Sequence, residues 1–83
     1  MDKVTIQLMS PVLGEVYEIQ VPVNLEIKWV IHLLIELLID LSAGRYQPSG
    51  TEILCRRDSA RVLHEAKTLG EYCVKNGEEL VLL

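Results

Sequence analysis

One segment with helical periodicity separates two groups of strand-like segments, and this arrangement restricts the folds open to the chain. The segment begins after Asn24, a common N-cap residue, and runs to about Ser42, with Gly44 placed to end it. Residues 1–83 are too few for more than one domain. The single helix must therefore bury its apolar face against a sheet made by the strands on either side.

Two strands are predicted before the helix. Apolar residues alternate with polar ones over Val4–Leu8 and over Glu15–Val21, which is the period of strands buried on one face. Ser10 and Gly14 bound a short turn between them, so the two strands should pair as an antiparallel hairpin. Pro22 cannot donate a ladder hydrogen bond and is expected to end the second strand.

Three shorter strands are predicted after the helix, at Ile53–Cys55, Arg61–Leu63 and Glu79–Leu83. Leu80–Leu83 is a continuous apolar run, which is typical of a central strand buried on both faces and paired in parallel, here with the first strand. The predicted fold is therefore α+β, with the order ββαβββ and one long helix across a mixed five-stranded sheet. This is the β-grasp architecture.

Motifs along the chain resemble those of ubiquitin-like proteins. Thr68-Leu69-Gly70-Glu71-Tyr72, followed by Leu80-Val81-Leu82, resembles the Thr-Leu-x-x-Tyr and Leu-x-Leu motifs of ubiquitin. Ile27–Ile31 resembles the start of the helix in the bacterial YukD/EsaB family, and Leu54–Asp58 resembles its third strand and turn. Nearly the whole chain is similar to that family and to the ubiquitin-like domain of EccD, a membrane component of type VII (ESX) secretion.

The resemblance implies a ubiquitin-like β-grasp fold and a cytoplasmic accessory protein of a type VII-like secretion system. Its partner would be another protein, such as the cytosolic part of a membrane component of the secretion machine. Its mechanism would be association alone, so it implies neither an enzyme nor a cofactor.

Two other functions stay open. A ubiquitin-like modifier or a sulfur carrier needs a flexible tail that ends in Gly-Gly, whereas this sequence ends in Leu82-Leu83, where the last predicted strand ends. That role is disfavoured unless the native chain continues. The other alternative is a stand-alone structural homodimer whose helices pack together.

The charge and the cysteines restrict the partner and the compartment. The net charge of −4 has the wrong sign for nucleic acid, whose phosphates require a field of Lys and Arg. Cys55 and Cys73 both lie among apolar residues, where reduced thiols pack as small hydrophobic groups, and this favours a reducing cytoplasm. We find no signal peptide, and His32 and Glu36 interrupt the longest apolar region, so direct membrane insertion is not expected.

The helix carries more apolar residues than one sheet is expected to cover. A broad core-facing arc holds Ile27, Val30, Ile31, Leu34, Leu37, Leu38 and Leu41. Trp29 and Leu33 remain on one flank of this arc, and Ile35 and Ile39 on the other. Either these flanks form a protein interface with Trp29 as its main anchor, or loop 42–52 folds over one flank.

Basic residues gather near the third and fourth predicted strands in this otherwise acidic chain. They are Arg56, Arg57, Arg61 and Lys67. If Ile53 and Cys55 point inward, Leu54 points outward beside Arg56 and Arg57, and the three would form a docking patch for an acidic partner. The alternative is ordinary solubilising charge on a sheet surface.

The sequence carries no recognisable catalytic or metal-binding pattern. No serine has a His–carboxylate pair nearby in sequence, and no Gly-rich loop could cradle a phosphate. His32, Glu36 and Asp40 follow helical spacing with Lys28, which is typical of a solvated stripe rather than a metal site. We therefore expect no enzyme activity, no cofactor and no metal.

Overall fold

The computed structural model describes residues 2–83 and contains one helix and four strands. The elements are β1 (Lys3–Ser10), β2 (Glu15–Pro22), α1 (Ile27–Leu41), β3 (Leu54–Arg56) and β4 (Glu78–Leu82). β1 and β2 form the expected antiparallel hairpin, from Lys3 opposite Pro22 to Ser10 opposite Glu15. The helical period and the period-two alternation thus predicted the main elements to within a few residues.

The sheet has the order β2-β1-β4-β3. β4 pairs with β1 in parallel and with β3 in antiparallel, so the sheet is mixed. The predicted placement of the last strand beside the first is therefore confirmed. One helix with this mixed sheet is an α+β fold of the β-grasp type.

The predicted strand at Arg61–Leu63 is wrong, and the described part of the chain has no fifth strand. Val62 makes a single isolated bridge with Cys55. The Arg56 N–H donates to the Arg61 carbonyl at 2.9 Å, and the Leu63 N–H donates to the Leu54 carbonyl at 2.8 Å. These bonds cover the outer edge of β3 without continuing into a ladder, so β2 is the open edge of the sheet.

Side chains from the sheet and from α1 form an aliphatic core. Each fully buried Leu or Ile contributes about 1.5–3 kcal/mol to folding relative to an exposed one. The leucines and isoleucines with an exposed fraction of at most 2% are Ile6, Leu8, Ile27, Leu34, Leu38, Leu54, Leu63, Leu69, Leu80 and Leu82. Val81 is only partly buried, so the prediction that β4 is buried on both faces is wrong. The helix covers one face of β4 and leaves the other partly open.

The inward-facing phase of β3 also differs from the prediction. Leu54 lies opposite Leu82 in the ladder, and both side chains are fully buried, whereas Ile53 is exposed. Cys55 is buried as well, so two consecutive side chains of β3 are covered. Leu54 therefore belongs to the core, and its predicted role in an outward docking patch is wrong.

Backbone carbonyls from a distant loop complete the start of α1. The N-cap is Glu26 and not Asn24, and no side chain caps it. The Ile27 N–H donates to the Lys67 carbonyl at 2.7 Å, and the Lys28 N–H donates to the Glu65 carbonyl at 3.1 Å. These contacts satisfy two of the free N–H groups at the helix start, so a capping side chain is not needed there.

Candidate protein-binding surface

The buried face of α1 is narrower than the sequence predicted. Its buried residues are Ile27, Val30, Ile31, Leu34 and Leu38. Leu37 and Leu41 were expected in the core but are exposed, so that part of the prediction is wrong. Leu37 faces the open edge of the sheet, and Leu41 is the last residue of the helix, so neither has a covering neighbour.

An exposed apolar row runs along the whole length of α1. Trp29, Leu33, Leu37 and Leu41 follow each other at intervals of four residues, which places them one above another on a helix. Their exposed fractions are 49%, 39%, 37% and 52%. We call these four residues the helix ridge. A contiguous row of large apolar side chains on a small domain is typical of a protein interface.

Charged and aromatic neighbours surround the Trp29 ring. The Lys28 ammonium lies 5.5 Å from the ring centroid, and the His32 ring centroid lies 5.6 Å away. The attraction between a cation and the face of an indole ring contributes about 0.5–1 kcal/mol at an exposed site. These contacts favour an indole held on the helix surface, where a partner could contact it.

A groove separates the helix ridge from the open sheet edge. Leu33 and Leu37 of the helix and Val21 and Pro22 of β2 line it, together with polar residues, which are Lys3, Gln20, Glu36 and Asp40. The outer backbone groups of β2 have no neighbouring strand in residues 2–83. The ridge and the groove therefore adjoin, and the groove carries both apolar and polar side chains.

The opposite flank of α1 is partly covered. Ile35 is half-buried and packs against the core, whereas Ile39 remains exposed. Pro48 and Gly50, from the loop that follows the helix, line a cleft together with Ile35. The loop after the helix thus lies beside Ile35, whereas Trp29 and Leu33 are exposed.

Glu52 holds the covering loop in place. One carboxylate oxygen (Oε2) accepts hydrogen bonds from the Tyr46 hydroxyl at 3.1 Å and the Ser49 N–H at 2.8 Å. The other (Oε1) accepts from the Gly50 N–H at 3.0 Å. Burial alone would raise the pKa of Glu52, but these donors outweigh it and lower the pKa. Burial and the bond to Glu52 raise the pKa of Tyr46 to about 12.

Glutamates neutralise the two arginines that the sequence singled out. The Arg56 Nε lies 2.8 Å from the Glu78 carboxylate, and the Arg57 guanidinium lies 2.6 Å from the Glu79 carboxylate. Arg56 also donates to the Tyr72 carbonyl. With Leu54 buried, the three residues do not form the predicted patch of an aliphatic side chain beside free cations.

Two other cations meet at Tyr72, and the sequence did not place them there. The Arg61 guanidinium and the Lys67 ammonium both lie over the Tyr72 ring. Tyr72 was expected from the motif to tie down a loop, and its hydroxyl does accept the His64 N–H at 2.8 Å. The clustering of Arg61 and Lys67 in sequence was the one available signal for this site.

The other titratable groups form no further site in the described part of the chain. His32, Glu36 and Asp40 are exposed along the helix. Residues 2–83 contain no group of three or more His, Cys, Asp or Glu side chains placed to hold a metal ion. Cys55 is buried, which raises its thiol pKa, but Cys73 is exposed, so the expectation that both thiols pack in apolar surroundings is wrong for Cys73.

No helix within residues 2–83 combines the length and the apolar character needed to cross a membrane.

Solved structures match this chain, although no family model and no curated protein does. The ubiquitin-like domain of the type VII secretion protein EccD1 from Mycobacterium tuberculosis is 16% identical, with a TM-score of 0.70 over 100% of this chain and 99% of that one. The EccD5 ubiquitin-like domain from Mycobacterium xenopi is 17% identical, with a TM-score of 0.75 over 100% and 94% of the two chains.

A larger assembly contains a similar domain. One chain of a MycP5-free ESX-5 inner membrane complex is 18% identical, with a TM-score of 0.73 over 98% of this chain and 20% of that one. At these identities the likeness shows the fold alone, because one fold serves many unrelated functions. The chain has the ubiquitin-like fold.

Proposed function

We propose that this chain is a non-catalytic, protein-binding accessory module of a type VII-like secretion system, similar to the bacterial YukD/EsaB proteins. It acts in the cytoplasm and binds the cytosolic part of a membrane component of that machine. It needs no cofactor, because its whole mechanism is association and release. The observation that carries the proposal is the exposed helix ridge on a ubiquitin-like domain.

The ridge supports a binding role on physical grounds. Trp29 is half-exposed at one end of the ridge, and Trp is enriched among the few residues that dominate binding energy at interfaces. Leu33 and Leu37 extend the apolar surface into the groove beside β2. Burying this surface against a partner releases its water, which is the main favourable term in protein association.

Secretion proteins are among the solved structures that share the fold, and they support the secretion part of the proposal. Two ubiquitin-like domains of EccD proteins cover this chain from end to end, and an ESX-5 inner membrane complex contains a similar domain. In those proteins the domain belongs to a longer chain or a larger machine. A ubiquitin-like chain such as this one could dock onto such a machine.

The test replaces the ridge without touching the core. Trp29→Glu with Leu33→Glu should abolish co-purification with an EccD-like membrane component of the same organism and should block secretion. The matched control is Val12→Glu with Val16→Glu, which places the same charges on exposed apolar residues outside the ridge. The control should bind and support secretion like the wild type.

Two outcomes would overturn the proposal. If both double variants retain binding, the ridge is not the docking surface. If the ridge variant loses its circular dichroism spectrum and its cooperative unfolding, Trp29 and Leu33 stabilise the fold and do not serve a partner.

Pairing with a second copy is the other candidate function, and the exposed row on α1 favours it, because one apolar surface can meet the same surface of another copy. If two copies pack their ridges antiparallel, Leu33 of one copy lies opposite Leu37 of the other. The two helix dipoles are then antiparallel, which is the favourable arrangement.

Charges placed on the ridge test this second candidate. Leu33→Glu with Leu37→Glu should convert the dimer to a monomer in sedimentation equilibrium, because like charges would meet at the centre of the interface, whereas Val12→Glu with Val16→Glu should not. A wild-type chain that sediments as a monomer at every concentration would exclude the dimer and leave the heterologous partner.

A further inference from the structure

Three cations surround a single tyrosine ring on the surface beside β3. The Arg56 guanidinium carbon lies 5.8 Å from the Tyr72 ring centroid, that of Arg61 lies 6.0 Å away, and the Lys67 ammonium lies 5.7 Å away. Cations repel one another, and salt screens charges only over about 8 Å at physiological ionic strength. The fold therefore holds like charges together at this ring.

The ring itself is held in a fixed position. The Tyr72 hydroxyl accepts the His64 N–H at 2.8 Å, and the Tyr72 carbonyl accepts from Arg56. Before the tyrosine, Thr68 and Glu71 cap each other, because each backbone N–H donates to the other side chain, at 3.0 and 3.1 Å. A site built on such a turn is ordered before a ligand arrives.

Only one of the three cations is neutralised within the described chain. Glu78 lies 2.8 Å from Arg56. Arg61 and Lys67 have no carboxylate within 4.0 Å among residues 2–83. Two exposed cations thus share a ring without a counter-charge, in a protein whose net charge is −4.

We propose that Arg61, Lys67 and the Tyr72 ring form a binding site for an acidic peptide segment of a partner protein. Carboxylates of such a segment pair with Arg61 and Lys67, while its aliphatic parts pack on the ring. A nucleic acid fits this site less well, because a phosphate backbone requires a longer run of cations and is repelled by the net negative charge. The site is separate from the helix ridge, so it does not rest on the proposed function.

Fluorescence anisotropy with a labelled oligoglutamate peptide at physiological ionic strength tests the proposal. Arg61→Glu with Lys67→Glu should weaken binding at least about tenfold, since two charge-assisted contacts are reversed. The matched control is Lys3→Glu with Arg45→Glu, which changes the net charge equally on other parts of the surface. The control should weaken binding less than about twofold, because distant exposed charges are screened.

The ring is tested by a pair of variants. Tyr72→Phe keeps the aromatic face and should bind like the wild type, whereas Tyr72→Leu should bind about two- to fivefold more weakly. Leu33→Glu with Leu37→Glu changes the ridge and should leave oligoglutamate binding within about twofold of wild type, because these added charges lie on a distant surface and are screened. Circular dichroism checks that each variant is folded.

Several results would overturn the proposal. They are a wild-type chain that does not bind the peptide saturably, equal losses in the cation variant and its control, and equal binding by the Phe and Leu variants at position 72. Tighter binding of a labelled oligothymidylate than of oligoglutamate would assign the site to nucleic acid instead.

Discussion

The two flanks of α1 carry similar side chains but meet different neighbours. On one flank, Ile35 is half-buried beside Pro48 and Gly50 of the following loop. On the other, Leu33 and Leu37 face only a groove and the open edge strand β2. The sequence showed an excess of apolar residues on both flanks, and the structure shows that Ile35 is half-buried beside a loop while Leu33 and Leu37 are exposed.

The loop beside Ile35 is fixed by its own hydrogen bonds. Glu52 accepts hydrogen bonds from Tyr46, Ser49 and Gly50, which closes the loop on itself. No comparable segment lies beside Leu33 and Leu37 among the described residues. The flank that meets a loop is therefore the one whose loop is held by internal hydrogen bonds.

The largest expected change in the free energy of unfolding is the difference between a substitution on the core face of α1 and one on the ridge. Leu34→Ala should lower the free energy of unfolding by about 2–5 kcal/mol, because a fully buried leucine leaves a cavity. Leu33→Ala, one residue earlier on the exposed ridge, should change it by no more than about 1 kcal/mol. Urea unfolding measures both. Similar losses in the two variants would show that the ridge is part of the core.

A smaller loss is expected when the covering loop is released. Glu52→Gln should lower the free energy of unfolding by about 1.5–3 kcal/mol, because it removes charge-assisted acceptors from three donors. Hydrogen exchange should increase over residues 46–52 and not over β1 and β4. An unchanged loop would mean that Glu52 does not hold it.

The same carboxylate makes this loss depend on pH. The folded pKa of Glu52 is lowered, so its stabilising contribution is present above the unfolded pKa and is lost as the pH falls through the folded pKa. The stability difference between wild type and Glu52→Gln should therefore be full at neutral pH and shrink below about pH 4.5. A difference that is constant from pH 7 to pH 3 would contradict the assignment.

The smallest effect concerns the hydroxyl that meets Glu52. Tyr46→Phe keeps the buried ring and removes one hydrogen bond, so it should cost about 0.5–1.5 kcal/mol. It should also remove the high tyrosine pKa of about 12 from an alkaline titration followed at 295 nm. If that titration step persists in the variant, another tyrosine is responsible for it.

Local patterns predicted the fold well, and they failed where a single residue position or a distant contact decided the outcome. In the structure, buried and exposed side chains alternate in β1 and β2 as predicted, and the predicted polar stripe of α1 is exposed. Leu54 was assigned to the wrong face because a strand of three residues is too short to show its phase. Leu37 and Leu41 were assigned to the core because the helical arc does not reveal how far the sheet extends.

By itself, the sequence determined the order of the main elements, the parallel position of the last strand and the surplus of apolar residues on the helix. These follow from the period of the backbone and the chemistry of each residue, both of which are local. Only the tertiary structure decided which flank the loop covers, which arginines are neutralised and which cations meet at Tyr72. Those outcomes depend on pairs such as Arg56 with Glu78, which lie far apart in sequence and meet only when the chain folds.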